Sequence, residues 1–165
     1  MENPEVLFEK WYVTPLKVLQ SIPGGDGAFV ALATSCFLYE RYAIVAIKNS
    51  PNPAKIDRDT KIRRFMIDFE VDEDTAKAFW DVIRDGLLHG GMPKQREHGK
   101  QALPYWAFRH EFLKPVELIK YGEKHILKVQ PWLVMDKVLS LWQGNLDLLN
   151  QNESFPWANV VPLSI

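Results

Sequence analysis

Cysteine is nearly absent: Cys36 is the only one in 165 residues. A disulfide framework within the chain is excluded, and so is a zinc site built on cysteine ligands. Cys36 falls in an apolar run and reads as a small buried side chain. Net charge is nearly absent too. The formal value is -1, so the chain as a whole exerts no electrostatic pull on nucleic acid or an anionic membrane, and any such pull needs a local patch. No segment repeats, and none is of low complexity. The glycine-rich "SIPGGDG" lacks the Lys-Ser/Thr ending with which a phosphate loop reaches phosphate and magnesium. His89, His98, His110 and His125 show no metal-ligand spacing, so we expect no metal and no cofactor. The opening "MENPEVLFEK" lacks the basic-then-apolar pattern of a secretory signal, and a cytoplasmic protein without a membrane partner is expected.

What the chain does have is bulk. Hydrophobic residues make up 47%, with six tryptophans and nine phenylalanines, and the length suits one domain with a substantial core. A first helix is predicted over 4–22, bent at Pro15. "PGGDG" breaks it, and Asp26 is a candidate cap for the next helix. Ala28 to Ile47 is apolar almost all round. Its length would suit a membrane span, but Thr34, Ser35, Glu40 and Arg41 interrupt it, which favours a central helix buried on most faces. Glu40 reads either as a buried ion-pair partner of Arg41 or as a group facing the helix that ends at His89.

A short helix is predicted over 60–70. A further one is capped by Asp72, has acidic Glu73 and Asp74 in its first turn, and ends at His89 with Gly90 as C-cap. "GMPKQREHGKQALP" reads as a loop. In "YWAFRHEF" the period drops to two, and "VELIKYGEKHILKV" reads as a hairpin turning near Gly122. A last helix is expected over 131–150. The predicted fold class is therefore mainly α with a small antiparallel β insertion, at about 105–130, before the last helix.

The stretch "RDGLLHGG", residues 84–91, carries the chemistry. On a regular helical wheel Ala76, Phe79, Trp80, Ile83 and Leu87 form one apolar stripe for the core. Asp85 and His89 are four apart and within hydrogen-bonding reach. Arg84 lies about 140° round the wheel from His89, so the two converge only if arginine reaches round or a second copy supplies one of them. The far face mixes Ala78, Val82 and Leu88 with Asp81, Asp85 and His89, a composition that suits an interface and suggests a dimer. The bland reading is a C-terminal histidine followed by glycine, a common helix end.

Arg84, Asp85 and His89 resemble the R-x4-H signature of the HEPN superfamily, in which a small polar residue often follows the arginine. The resemblance is strongest over residues 26–91. It implies an up-down four-helix bundle, with the motif near the end of a late helix, and a homodimer. Catalytic members are metal-independent ribonucleases whose site is composite, built from both protomers, and many act with an antitoxin or against phage. Others have lost catalysis and serve as dimerisation, interaction or nucleotide-binding modules. The hairpin at 105–130 is not part of the minimal pattern.

Metal-free RNA cleavage needs a proton acceptor, a proton donor and a cation for the charged phosphorane. Histidine suits proton transfer, arginine offers a permanent planar charge, and a carboxylate can fix an imidazole tautomer. The resemblance thus assigns Arg84 and His89 as catalytic with Asp85 in support; Glu40, if it faces the motif helix, is a further supporting residue. Lys94, Arg96 and Lys100, with His98, could hold RNA phosphates or form a solvated loop. Lys61, Arg63 and Arg64 carry the same two readings. Tyr105, Trp106 and Phe108 could stack bases or fill the core.

Overall fold

In the computed structural model, which describes residues 3–94, 103–151 and 155, the chain is mainly helical with one small three-stranded sheet. The first helical stretch is not uniform. α1 (Pro4–Phe8) opens on Asn3, whose side chain accepts from the Glu5 N–H at 2.9 Å. A π-helical turn follows over Glu9–Val13, and α2 (Thr14–Gln20) continues beyond it. Pro15 sits just past the wide turn. Its ring crowds the carbonyl four residues back and it has no N–H to donate, so local unwinding replaces a sharp break.

α3 (Ala28–Lys48) is the predicted central helix. It is long and apolar enough to cross a membrane, and more than half of it is buried inside the fold. Asp26 does not cap it. Asp26 and Gly27 both have helical backbone angles, whereas a capping side chain needs an extended residue to reach back to the first N–H groups. α4 (Arg58–Phe69) starts earlier than the predicted stretch. Asp57 is extended and accepts from the Thr60 N–H at 3.0 Å, a cap the sequence reading passed over. The motif helix follows as α5 (Glu73–Ala78), a π-helical turn over Phe79–Arg84, and α6 (Asp85–Gly90).

The sheet comprises β1 (Tyr105–Phe108), β2 (Val116–Tyr121) and β3 (Lys124–Val129), in the order β1-β3-β2. β2 and β3 form the predicted hairpin, turning at Gly122, whose φ of 60° suits glycine. β1 pairs with β3 in parallel, so the sheet is mixed and not antiparallel as expected. The reason is topological: residues 109–115 carry the chain past β3 to the far edge, and β3 returns between its two predecessors. Beyond Phe108 the alternating pattern leads into a turn, so Phe112 belongs to no strand.

α7 (Pro131–Gln143) is capped by Gln130, whose side chain accepts from the N–H groups of Trp132 and Leu133 at 2.7 and 3.2 Å. The expected helix to residue 150 breaks at Gly144, and a short α8 (Leu146–Leu149) follows. Asn145 is the cause. Its side-chain amide donates to the Leu141 carbonyl at 2.8 Å and to the Tyr42 hydroxyl at 3.2 Å, competing with the backbone ladder.

α3 packs against α2, α4, α6 and α7. Trp142 of α7 is fully buried beside Phe8, Tyr42 and Phe155, and its indole N–H donates to the Leu38 carbonyl at 3.2 Å. On the other side Phe65 stacks between Phe69 and Phe79, at 4.2 and 4.7 Å between ring centres. Leu127, Val129 and Val116 turn one sheet face into the same core. Each fully buried side chain of this size contributes roughly 1.5–3 kcal/mol, which is why the aromatic-rich composition converts into one continuous core.

Candidate functional site

Asp72 caps the motif helix as predicted, accepting from the Thr75 N–H at 2.7 Å. Ala76, Phe79, Trp80, Ile83 and Leu87 are buried, again as predicted. The far face is different. Ala78 and Val82 are buried as well, and Leu88 packs against the core. No open apolar face of Ala78, Val82 and Leu88 remains for a second copy, so the mixed-face argument for an interface does not stand.

Two features close that face. The π-helical turn over Phe79–Arg84 fits more residues into a turn than a regular wheel assumes, which moves later side chains out of the expected phase. The chain also folds back over the helix. Gly91, not Gly90, adopts the left-handed cap, with φ 70°. The Lys94 N–H then donates to the Val82 carbonyl at 2.8 Å. The crossing point is Gly86, where a Cβ would lie 2.5 Å from the Lys94 nitrogen and 2.6 Å from the Met92 oxygen. The glycine inside "RDGLLHGG" is therefore a backbone crossing point.

Arg84 lies against the ring of Trp80, its guanidinium carbon 5.3 Å from the centroid. One outer nitrogen donates to Glu40 of α3, and the other to Asp85 at 2.5 Å. Glu40 also accepts from Lys61 of α4 at 2.7 Å, and Lys61 sits 5.6 Å from the same indole. Lys94 approaches Asp85 at 3.8 Å. Three cations and two carboxylates from α3, α4, the motif helix and the returning chain thus share one half-buried cluster on Trp80. Of the alternatives for Glu40, the structure selects the motif helix.

The charges in the cluster are mutually stabilised. Burial opposes the Arg84 charge, yet the hydrogen bonds to Glu40 and Asp85 outweigh it and raise the pKa above the ordinary arginine value. Burial likewise pushes Glu40 up, but its bonds to Arg84 and Lys61 win and hold the carboxyl below its usual range. Arg84 Nε is buried without a hydrogen-bond partner among the described residues. Cys36 lies within the field of Arg84 and Glu40. Burial drives its thiol to about 12, so it stays protonated and inert.

His89 stands apart. It is exposed in the last turn of α6, and no hydrogen bond or ion pair among the described residues engages it. The expected Asp85–His89 hydrogen bond is not made, because Asp85 turns to Arg84 and Lys94. Arg84, Asp85, Glu40 and Lys94 are brought together, and His89 is not brought to them. Arg96, His98 and Lys100 lie outside the described residues. Arg64 leaves the phosphate-binding candidates to pair with Asp68.

Lys61 and Trp80 were not singled out as partners of the motif. The available signal was Glu40 itself: a carboxylate on a nearly all-apolar helix requires cations from whatever packs against it. Among the described residues no three His, Cys, Asp or Glu side chains gather as a metal would require.

Comparison of the chain with known protein families, with characterised proteins and with solved structures gives no match.

Proposed function

We propose that this chain is a HEPN-like domain, an up-down four-helix bundle that acts as a dimeric, metal-independent endoribonuclease of the toxin–antitoxin or antiphage type. The observation that carries the reading is the division of labour along one short helix. Arg84 is held in place with its charge retained, while the imidazole of His89 is exposed and makes no hydrogen bond or ion pair among the described residues. In this reading the ribose 2'-hydroxyl attacks the adjacent phosphate, His89 accepts its proton, and His89 of a second copy protonates the leaving oxygen. Arg84 supplies fixed positive charge for the phosphorane through its remaining N–H groups. Asp85 and Glu40 orient the guanidinium, a role that replaces the expected support of the imidazole by Asp85. Lys94, half exposed at the rim, meets RNA phosphates.

The test is cleavage of a labelled single-stranded RNA in excess chelator, with sedimentation to read the mass. His89→Ala should slow cleavage by about 10²–10⁴-fold while the dimer mass and melting temperature hold. A monomeric wild-type protein, or one that leaves RNA intact, removes the proposal.

A second reading is favoured by a specific observation: both outer nitrogens of Arg84 already donate to carboxylates, which neutralises the charge a phosphate would need. The domain then serves as a non-catalytic dimerisation, interaction or nucleotide-binding module, with an antitoxin or another protein as partner. Wild-type expression that leaves growth unaffected, together with intact RNA in the cleavage assay, supports this alternative.

A further inference from the structure

Strand alternation sends the two faces of the sheet to different environments. The register places Trp106, Phe108, Leu118, Leu127, Val116 and Val129 on one face, and these pack against the core. The opposite face carries Tyr105 of β1, Lys124 and Ile126 of β3, and Ile119 and Tyr121 of β2. Tyr105 is 43% exposed and Tyr121 73% exposed, so two large rings stand open on this face. Lys124 lies between them. It pairs across the ladder with Tyr121, and its ammonium sits 5.2 Å from the Tyr105 ring centre. Farther along the same face Lys128 lies 5.3 Å from the Phe112 ring.

Charge on this region differs from that of the rest of the chain. Residues 105–130 hold five lysines and arginines against three glutamates, although the whole chain is -1. On the open face one carboxylate, Glu117, is shared between Lys114 and Lys128, and the Lys124 ammonium lies against the Tyr105 ring. The surface is thus cationic as well as aromatic, and an acidic or neutral apolar partner would match only one of those properties. A chain that alternates flat bases with phosphates matches both. Strands lie about 4.8 Å apart and rise about 3.3 Å per residue, so Tyr105 and Tyr121, on either side of the central strand and two residues out of register, stand roughly 12 Å apart at the backbone, with an ammonium between them.

We infer that this sheet face is a binding platform for single-stranded RNA, with Tyr105 and Tyr121 stacking bases and Lys124 and Lys128 meeting phosphates. The inference deepens the ribonuclease reading, on which it rests for the choice of RNA as occupant, by naming where the strand is held away from the motif. It also gives the sheet, which the motif cluster does not use, a task of its own.

The experiment measures anisotropy of a labelled single-stranded oligouridylate with full-length His89→Ala protein, which keeps the RNA whole. Tyr105→Ala and Tyr121→Ala should each weaken binding by about tenfold, while Tyr105→Phe and Tyr121→Phe retain it because the ring remains. Lys124→Ala should reduce the salt slope by about 1. All these sites are exposed, and an unchanged melting temperature confirms the fold. Alanine variants that bind as tightly as the parent overturn the platform, as does an oligoglutamate peptide that displaces the RNA at equal concentration. The two readings fail separately. Cleavage by wild type with indifferent tyrosines removes only the platform. Tyrosine-dependent binding without any cleavage removes only the nuclease.

Discussion

Arg64 and Arg84 are built from the same parts and end in different states. Each lies on a helix, each is paired with carboxylate, and each rests on an aromatic ring, Tyr42 for one and Trp80 for the other. Arg64 donates twice to a single carboxylate, Asp68, at 2.8 Å through both Nε and Nη2. Asp68 also accepts from the Tyr39 hydroxyl at 3.1 Å. Burial, followed by the Asp68 charge, raises Tyr39 well above the ordinary phenol value, so it stays a neutral donor. The bonds close on one another within α4 and its contact with α3. Arg84 instead divides its outer nitrogens between two helices, leaves Nε without a partner among the described residues, and shares Glu40 with Lys61. A saturated pair fixes a helix in place. An unsaturated one, bordered by Lys61 and Lys94, leaves a buried N–H without a hydrogen bond among the described residues.

Asp68→Ala should cost the most, about 3 kcal/mol, because it leaves Arg64 half-buried and unpaired and frees the Tyr39 hydroxyl. Urea unfolding at pH 7 reads this, and a loss below about 1 kcal/mol would mean the closed cluster is not structural.

Gly86→Ala should follow, at about 2 kcal/mol. The added methyl meets backbone atoms of residues 92–94, which outweighs the gain of roughly 1 kcal/mol from alanine's helix propensity. Faster proteolysis between residues 91 and 95 would accompany it.

Glu40→Gln should cost less, about 1 kcal/mol near neutral pH, with a distinct pH signature. The folded carboxyl titrates below its ordinary value of 4.5. Its contribution is therefore complete above that value and lost as pH falls through the lower folded one. Wild type and variant should converge in stability on the acid side, and a gap that persists at low pH would contradict the assignment.

His89→Ala should change stability least, by less than about 0.5 kcal/mol, since the imidazole is exposed and bonds to nothing among the described residues. A large loss would move His89 from the open site to the scaffold.

Much of the fold was legible because local rules govern it. Asp72 as a cap, the apolar α3 and the hairpin at Gly122 follow from side-chain chemistry and period alone. The misreadings share a different cause. A wheel for residues 75–89 presumes regular winding; the π-helical turn changes the phase from Phe79 onward and so affects Val82, while Ala78, ahead of the turn, is buried by the core packing of α5. The last helix was drawn through Asn145, whose amide found partners on α3 and α7 that no local pattern announces. Strands that follow one another in sequence usually pair antiparallel, but the strand that β1 pairs with comes third in the chain.

The candidate site divides along the same line. Sequence alone singled out Arg84, Asp85, His89, Lys94 and Glu40, because charge on an apolar background and a short motif are visible in one dimension. It also made Cys36 a buried side chain and ruled out any disulfide within the chain, since counting is enough for that. Only the tertiary structure decided that Asp85 serves Arg84 and not His89, that Lys61 and Trp80 complete the cluster, and that Gly86 is a crossing point. Those outcomes depend on which helices pack together and in what rotation, and such contacts between residues 40, 61, 84 and 94 are set by the global packing of the core.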